Sequence, residues 1–162
     1  MCSENSATNF IRHAHSVGLN QFHFEWCSKY RYKTMKREDI NKFVEQAICQ
    51  AACEHGISIH TMSIGFEHVH VFASLPLAMS PSDALMLLKG RSAYLIFRQY
   101  PNFRKLYGAG HFWSAGKFAR SVSNITSSTV KRYIENQQFE ELNNTIHSID
   151  EEPRQLNLTH FM

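Results

Sequence analysis

The chain has 162 residues, of which 43% are hydrophobic and 19% are charged. This length suits one compact domain, and the composition excludes a fibrous or wholly disordered chain. No apolar run approaches the roughly 20 residues that a membrane-spanning helix needs, and the N-terminus lacks the pattern of a signal peptide, so we expect a cytoplasmic protein. The net charge is +3, but residues 1–137 carry 16 basic and nine acidic residues, a surplus that suits a polyanionic partner.

Residues 21–34 alternate between apolar and polar side chains, as a half-buried strand does. Aromatic residues occupy one parity of this segment. Near its end the other parity holds Lys29, Arg31 and Lys33. Because basic side chains contact phosphates and aromatic rings stack on bases, this basic stripe predicts a nucleic-acid contact. An edge strand that is protected by its lysines is the alternative.

Residues 36–55 change to helical spacing, and Gly56 is a typical stop signal. Within this helix Cys49 and Cys53 are predicted to be small buried thiols, since the cysteine spacing supports neither a zinc site nor a disulfide framework. Residues 57–64 and 68–75 have the pattern of two strands. The short connection between these strands predicts an antiparallel hairpin.

A second helix is predicted to begin after the cap Ser80. The glycine-containing residues 108–122 predict a fourth strand with irregular approaches. Thr126 is predicted to cap a third helix, on which Tyr133 and Gln137 share one face. The order strand, helix, strand, strand, helix, strand predicts an α+β fold of the ferredoxin-like or RRM-like type. We therefore expect an antiparallel sheet with helices on one face, plus a C-terminal helix that carries the tyrosine.

His68 and His70 are two residues apart on a predicted strand, so their imidazoles point to the same side of the sheet. Such a pair can bind one metal ion and leave positions open for a phosphate oxygen, although solvent-exposed or hydrogen-bonded histidines have the same spacing. A tyrosine hydroxyl, with an ordinary pKa of about 10, needs a metal or a base to act as a nucleophile. A metal held by both histidines and the Gln137 carbonyl would activate Tyr133 in this way, whereas core packing is the alternative role of this tyrosine.

Four segments occur in the order in which they are found in the single-tyrosine transposases of the smallest bacterial and archaeal insertion sequences, and the chain resembles this family over about residues 21–137. The segments are EHVHVFASLP, SPSDALMLLKGRSA, GAGHFWSAGKF and VKRYIENQ. The family belongs to the HUH superfamily, named for two histidines that flank a hydrophobic residue. The resemblance implies that His68, His70 and Gln137 bind magnesium or manganese. It also implies that Tyr133 cleaves and rejoins single-stranded DNA through a 5′-phosphotyrosine.

The resemblance further implies a homodimer with composite active sites, in which the tyrosine helix of one subunit meets the histidine pair of the other. Family members recognise DNA hairpins near the ends of their element. The residues that we expect to contact this DNA are the basic stripe and two residues of the second predicted helix: Lys29, Arg31, Lys33, Lys89 and Arg91.

Three segments are expected along the chain: an N-terminal extension (1–19), the catalytic domain (20–140) and an acidic, partly disordered tail (141–162). The end of the tail, QLNLTHF, resembles the short peptides that bind replication sliding clamps. Packing of this apolar end on the domain is the alternative.

Two other functions fit parts of the sequence. A noncatalytic module of similar fold could bind single-stranded nucleic acid through the aromatic residues and the basic stripe, and Tyr133 would then be dispensable. A metal-dependent hydrolase could use the histidine pair to activate water, and it would form no covalent intermediate.

Overall fold

The computed structural model describes residues 11–13, 16–108, 110–122, 131–132 and 134–136, and for 11–13 and 16–17 it describes the backbone alone. The first elements of the described part are β1 (Ile11–His13) and β2 (Ser16–Gly18), which form a small antiparallel hairpin. A four-stranded antiparallel sheet follows, and its strands are β3 (Gln21–Cys27), β4 (Ser58–Ile64), β5 (His68–Ser74) and β6 (Phe118–Ser121). The strand order across this sheet is β4-β5-β3-β6.

Two long helices, α1 (Glu38–Glu54) and α2 (Pro81–Gln99), cover one face of the sheet. Because side chains alternate along a strand, β3 and β5 each supply every second residue to this core. The core includes Phe24, Trp26, Val69, Val71, Val44, Ile48, Leu85 and Leu88. A short helix, α3 (Phe103–Leu106), follows α2. The predicted α+β architecture, an antiparallel sheet with helices on one face, is thus confirmed.

The second helix begins as its sequence predicts. The Ser80 side chain accepts a hydrogen bond of 3.1 Å from the Asp83 amide, and Pro81 occupies the first turn, where its missing amide hydrogen leaves no bond unmade. The predicted hairpin is also present, because β4 and β5 pair directly through the short Gly65–Glu67 connection. Within the part of the chain that is described, no helix combines the length and apolar character needed to cross a membrane.

The predicted strand over residues 21–34 is too long, since β3 ends at Cys27. Lys29–Arg31 forms a 3-10 turn, in which Tyr30 and Arg31 have φ angles of 60° and 52°. The turn is closed locally: the Ser28 hydroxyl donates to the Tyr32 carbonyl at 2.8 Å, and the Arg31 amide donates to the Ser28 carbonyl at 3.1 Å. These groups therefore do not continue a strand ladder, and the aromatic alternation beyond Cys27 belongs to a loop.

Two further expectations differ from the structure. Among the described residues of 108–122, only Phe118–Ser121 form a strand, whereas Phe112 and Trp113 are buried in the helix-side core. The prediction that Cys49 and Cys53 are buried is wrong, because both are exposed. The buried face of α1 is formed instead by the neighbouring positions Ile40, Val44, Ala47, Ile48, Ala51 and Ala52.

Residues 131–132 and 134–136 are helical, as the third predicted helix requires. Ile134 is fully buried and packs with Phe72 and Val122 in a cluster separate from the main core. Because Phe72 lies between Val71 and Ala73 on β5, it points to the sheet face that α1 and α2 leave uncovered. Three residues of this prediction, namely Thr126, Tyr133 and Gln137, lie outside the described residues.

Candidate active site

The uncovered face of the sheet carries the two histidines that the sequence singles out. Val69 and Val71 point into the helix-side core, so His68 and His70 point the other way. The two imidazole rings lie with their centroids 5.1 Å apart and their planes at 86°. His68 is partly exposed, and His70 is 5% exposed. We call this side of the sheet the histidine face.

The histidine face has a third imidazole close to the pair. His23 on β3 is 9% exposed, and its Nε2 lies 3.2 Å from Nδ1 of His70. Glu25, which pairs with His70 across the strands, places Oε2 3.9 Å from the same Nδ1. Phe118 on β6 lies edge-on to the His23 ring, with centroids 6.0 Å apart. His23 was not predicted as a site residue. Its position between Phe22 and Phe24 on β3 could have indicated that it lies on the same sheet face as the histidine pair.

Burial lowers the pKa of two imidazoles on this face, those of His70 and His23. The pKa of His70 is lowered to about 4: burial is the largest cause, the Glu25 carboxylate opposes the shift, and the neighbouring His68 and His23 add to it. Burial also lowers the pKa of His23, the Glu25 carboxylate opposes this shift, and the Arg120 guanidinium reinforces it. A neutral imidazole retains a nitrogen lone pair, which is the form that binds metal ions. Near neutral pH, His70 is therefore in the protonation state that a metal ligand requires.

Two side chains of the histidine face are candidate ligands for a divalent ion. His68 and His70 offer imidazole nitrogens from one strand, and an ion bound by two imidazoles would have coordination positions left for other ligands. Within the described ranges, no three histidine, cysteine, aspartate or glutamate side chains are grouped closely enough to hold a metal. The predicted third ligand, Gln137, is an amide and lies outside those ranges.

The helical residues near the end of the described chain lie against the histidine face. Ile134 packs on Phe72, which is two residues beyond His70 on β5. The pKa of His60, on β4, is lowered by burial and then by the positive charge of Lys131, so this lysine is close enough to act on that imidazole. The segment that flanks Tyr133 in sequence is thus placed on the same side of the sheet as the histidine pair.

The basic stripe lies on the loop that follows β3. Lys29 Nζ is 5.0 Å from the centre of the Tyr30 ring, which is itself 61% exposed. Arg31 donates to Glu67 at 2.7 Å. Lys33 and Tyr32 are exposed on the same loop. The structure therefore brings cations and exposed aromatic rings together, although on a turn and not along a strand.

Lys89 and Arg91, the two predicted DNA contacts on α2, both have partners within the chain. Lys89 donates to the carbonyls of Ser114 and Gly116 at 2.8 and 2.9 Å. Arg91 makes two hydrogen bonds, of 2.7 and 2.9 Å, to Glu54 on α1. Burial lowers the pKa of Lys89, and the positive charge of Lys117 adds to this effect. These contacts give both residues a structural role, whichever ligand binds nearby.

A cavity of about 550 Å³ adjoins the loop and α2. Its walls include two predicted DNA contacts, Lys29 and Lys89, and three residues that sequence analysis missed: Tyr94, Arg104 and His111. The histidine pair is not part of its lining. A concave surface with cations and aromatic rings suits an anionic, planar ligand such as a nucleotide.

Comparison with known proteins assigns the family. The family model described as Transposase IS200 like matches residues 16–137. The ISDra2 transposase TnpA of Deinococcus radiodurans is 28% identical over 121 residues, which are 75% of this chain and 86% of that protein. The transposase for insertion sequence element IS200 of Salmonella typhimurium is 25% identical over 129 residues, which are 79% of this chain and 83% of that protein.

A solved structure supports the same fold. The crystal structure of a protein from Deinococcus radiodurans, described as a transposase, superposes with a TM-score of 0.63 at 22% sequence identity. The match covers 78% of this chain and 96% of that one. The matched family model includes the histidine pair and extends to the last residue of the VKRYIENQ segment. On this evidence the chain belongs to the IS200-like transposase family.

Proposed function

We propose that this transposase cleaves and rejoins single-stranded DNA at the ends of an insertion sequence, with Tyr133 as the nucleophile. The observation that carries the proposal is the histidine face: two adjacent imidazoles on β5, with His70 held neutral, and a helical segment docked beside them through Ile134. Tyr133 is the residue before Ile134 in sequence. Membership of the transposase family indicates that the substrate is DNA. The imidazoles of the histidine face are suited to binding a metal ion that acts on a phosphate.

His68 and His70, with Gln137, would hold a magnesium or manganese ion. A divalent ion bound there would neutralise charge on the scissile phosphate and help to orient it. Two imidazoles favour manganese over magnesium, whereas the amide oxygen of Gln137 suits both. The burial of His70 favours metal binding, because it keeps the imidazole in its neutral form near neutral pH.

The bond changes balance without an external energy source. The Tyr133 oxygen forms a bond to phosphorus while the bond from phosphorus to the 3′-oxygen breaks. The phenol proton passes to solvent or to a base, and the departing 3′-oxygen takes up a proton. One phosphate ester thus replaces another, so a 3′-hydroxyl can reverse the step and rejoin DNA without ATP.

The experiment uses a single-stranded oligonucleotide with the end hairpin of the element that encodes the chain. The label is placed at the 3′ end, because a 5′-phosphotyrosine retains the downstream fragment. With manganese, the wild type should give a labelled protein adduct on denaturing electrophoresis, and Tyr133→Phe should give none. Tyr100→Phe is the matched control, since Tyr100 packs beside Phe43 on the helix side of the sheet. Cutting without an adduct in Tyr133→Phe would instead indicate a hydrolase.

A noncatalytic module that binds single-stranded nucleic acid is the second candidate, and one observation favours it. The exposed rings of Tyr30 and Tyr32 lie 5.4 Å apart, and the neighbouring Lys29 lines a cavity that also holds Lys89 and Arg104. The same surface also serves a transposase, because cleavage requires prior binding. Binding that is unaffected by Tyr133→Phe, with no cleavage by the wild type, would establish the module instead.

We further propose a homodimer with composite sites and the domain limits of 1–19, 20–140 and 141–162. Mixing Tyr133→Phe with His70→Ala tests the dimer, since activity should return only if tyrosine and histidines come from different subunits. The C-terminal QLNLTHF segment is proposed to bind a sliding clamp, and a pull-down with and without residues 155–161 tests this. The cytoplasm is the proposed location.

A further inference from the structure

We propose that His23 is a positioning residue for the metal site: it accepts a hydrogen bond from Nδ1 of His70 and so leaves Nε2 of His70 free to bind the ion. This inference rests on the proposed function, because it concerns the same histidine pair. It adds a residue from another strand, β3, to the machinery on β5.

The contact between the two rings carries the inference. His23 Nε2 and His70 Nδ1 are 3.2 Å apart, within hydrogen-bond distance, and both side chains are at least nine-tenths buried. Among the described residues, the Glu25 carboxylate also lies near this nitrogen, but its 3.9 Å separation is too long for a hydrogen bond. His23 is therefore the partner that fixes the orientation of the His70 ring.

The shared hydrogen determines which nitrogen of His70 can bind a metal. A hydrogen bond between two facing imidazole nitrogens uses one hydrogen, which belongs to one of the two rings. If it belongs to His70 Nδ1, a neutral His70 keeps its lone pair on Nε2. If it belongs to His23 Nε2, a neutral His70 carries its own hydrogen on Nε2 and cannot bind a metal there. Metal-binding histidines usually donate their other ring hydrogen to such a partner, which fixes both tautomer and ring angle.

The surroundings of His23 hold it in place for this role. Strand β6 pairs with β3 at this point, and Phe118 meets the His23 ring edge-on. His23 itself sits in the central part of β3, where the ladder to β5 is continuous from Gln21 to Cys27. A rigid acceptor reduces the number of orientations open to the His70 ring before any ion binds.

The test compares manganese binding, measured by electron paramagnetic resonance of the free ion, in the purified full-length protein. His23→Leu should weaken binding by roughly 10- to 100-fold, as loss of a ligand's partner typically does. His23→Gln should restore most of the affinity, because its amide oxygen can accept the same hydrogen bond. His60→Leu is the matched control: His60 is a partly buried histidine of the same face that hydrogen-bonds Ser74, not His70. Circular dichroism checks that each variant is folded.

A second measurement reads the tautomer directly. Nitrogen-15 correlation spectra of the metal-free wild type should show His70 with its hydrogen on Nδ1. The proposal would be overturned if the hydrogen of His70 were found on its Nε2. It would also be overturned if the His23→Leu variant bound manganese as tightly as the wild type. His70→Ala is the reference that separates the two proposals: if the wild type binds no better than His70→Ala, the metal assignment itself fails and the role of His23 fails with it.

Discussion

Replacement of Ile134 by alanine tests whether a single side chain docks the C-terminal helical segment on the histidine face. Ile134 is fully buried, whereas the other side chains described in this segment, at 131, 132, 135 and 136, are exposed. The change removes three carbon atoms from a cluster with Phe72 and Val122. At about 0.8 kcal/mol per carbon, docking weakens by about 2 to 3 kcal/mol. That energy corresponds to a population change of roughly 30- to 150-fold.

Hydrogen exchange followed by NMR measures this effect locally. In Ile134→Ala, the amides of residues 134–136 should exchange faster by the factor above, and the core amides of α2 should change much less. Cleavage of single-stranded DNA should slow at least about tenfold, because the segment next to Tyr133 spends less time docked. Ile134→Val, which removes one carbon, should have a small effect of about 0.5 to 1.5 kcal/mol.

Ile96→Ala is the comparison for the main core. Ile96 is fully buried on α2 in the larger cluster, so its loss should accelerate exchange throughout the sheet and helices together. Equal acceleration of the α2 amides and the 134–136 amides in Ile134→Ala would refute the reasoning. The segment would then open only when the whole domain unfolds.

Three other outcomes are expected. Ser92→Ala should lower the free energy of unfolding in urea by about 1 to 3 kcal/mol, because the Trp113 indole nitrogen donates to the buried Ser92 hydroxyl at 2.9 Å and would lose its acceptor. The free energy of unfolding should fall as the pH is lowered from about 6.5 towards 4. Over this range His70 becomes protonated in the unfolded chain, whereas its pKa of about 4 in the folded chain keeps it neutral. Urea titrations of chelator-treated protein measure this effect. Glu54→Gln should leave the free energy of unfolding nearly unchanged, since solvent screens its pair with Arg91, and it should not weaken DNA binding in a filter assay.

Each of these outcomes has a clear opposite. Ser92→Ala with unchanged stability would mean that Trp113 finds another acceptor. The acid-dependent loss of stability should become shallower in His70→Gln, and an unchanged slope would assign it to other groups, such as His23. Weaker DNA binding by Glu54→Gln would show that the ion pair holds Arg91 in the orientation that DNA requires.

The sequence was sufficient for the architecture and for the histidine pair. Hydrophobic periodicity gives the order of strands and helices, because alternation and 3.6-residue spacing are local properties of the chain. The placement of His68 and His70 is also a local property, because residues two positions apart on a strand point to the same face of the sheet. The length of β3 was not predictable in this way. Its alternation continues past Cys27, but hydrogen bonds from Ser28 close a turn that the periodicity of side chains does not reveal.

Contacts between distant residues are what the tertiary structure alone decided. His23 and His70 are 47 positions apart, and only the pairing of β3 with β5 brings their nitrogens to 3.2 Å. Lys89 and Arg91 were predicted to contact DNA, and their hydrogen bonds to Ser114, Gly116 and Glu54 could not be read from the sequence. Local sequence determines which face a side chain occupies; strand register and helix packing, which depend on the whole chain, determine which partner it meets there.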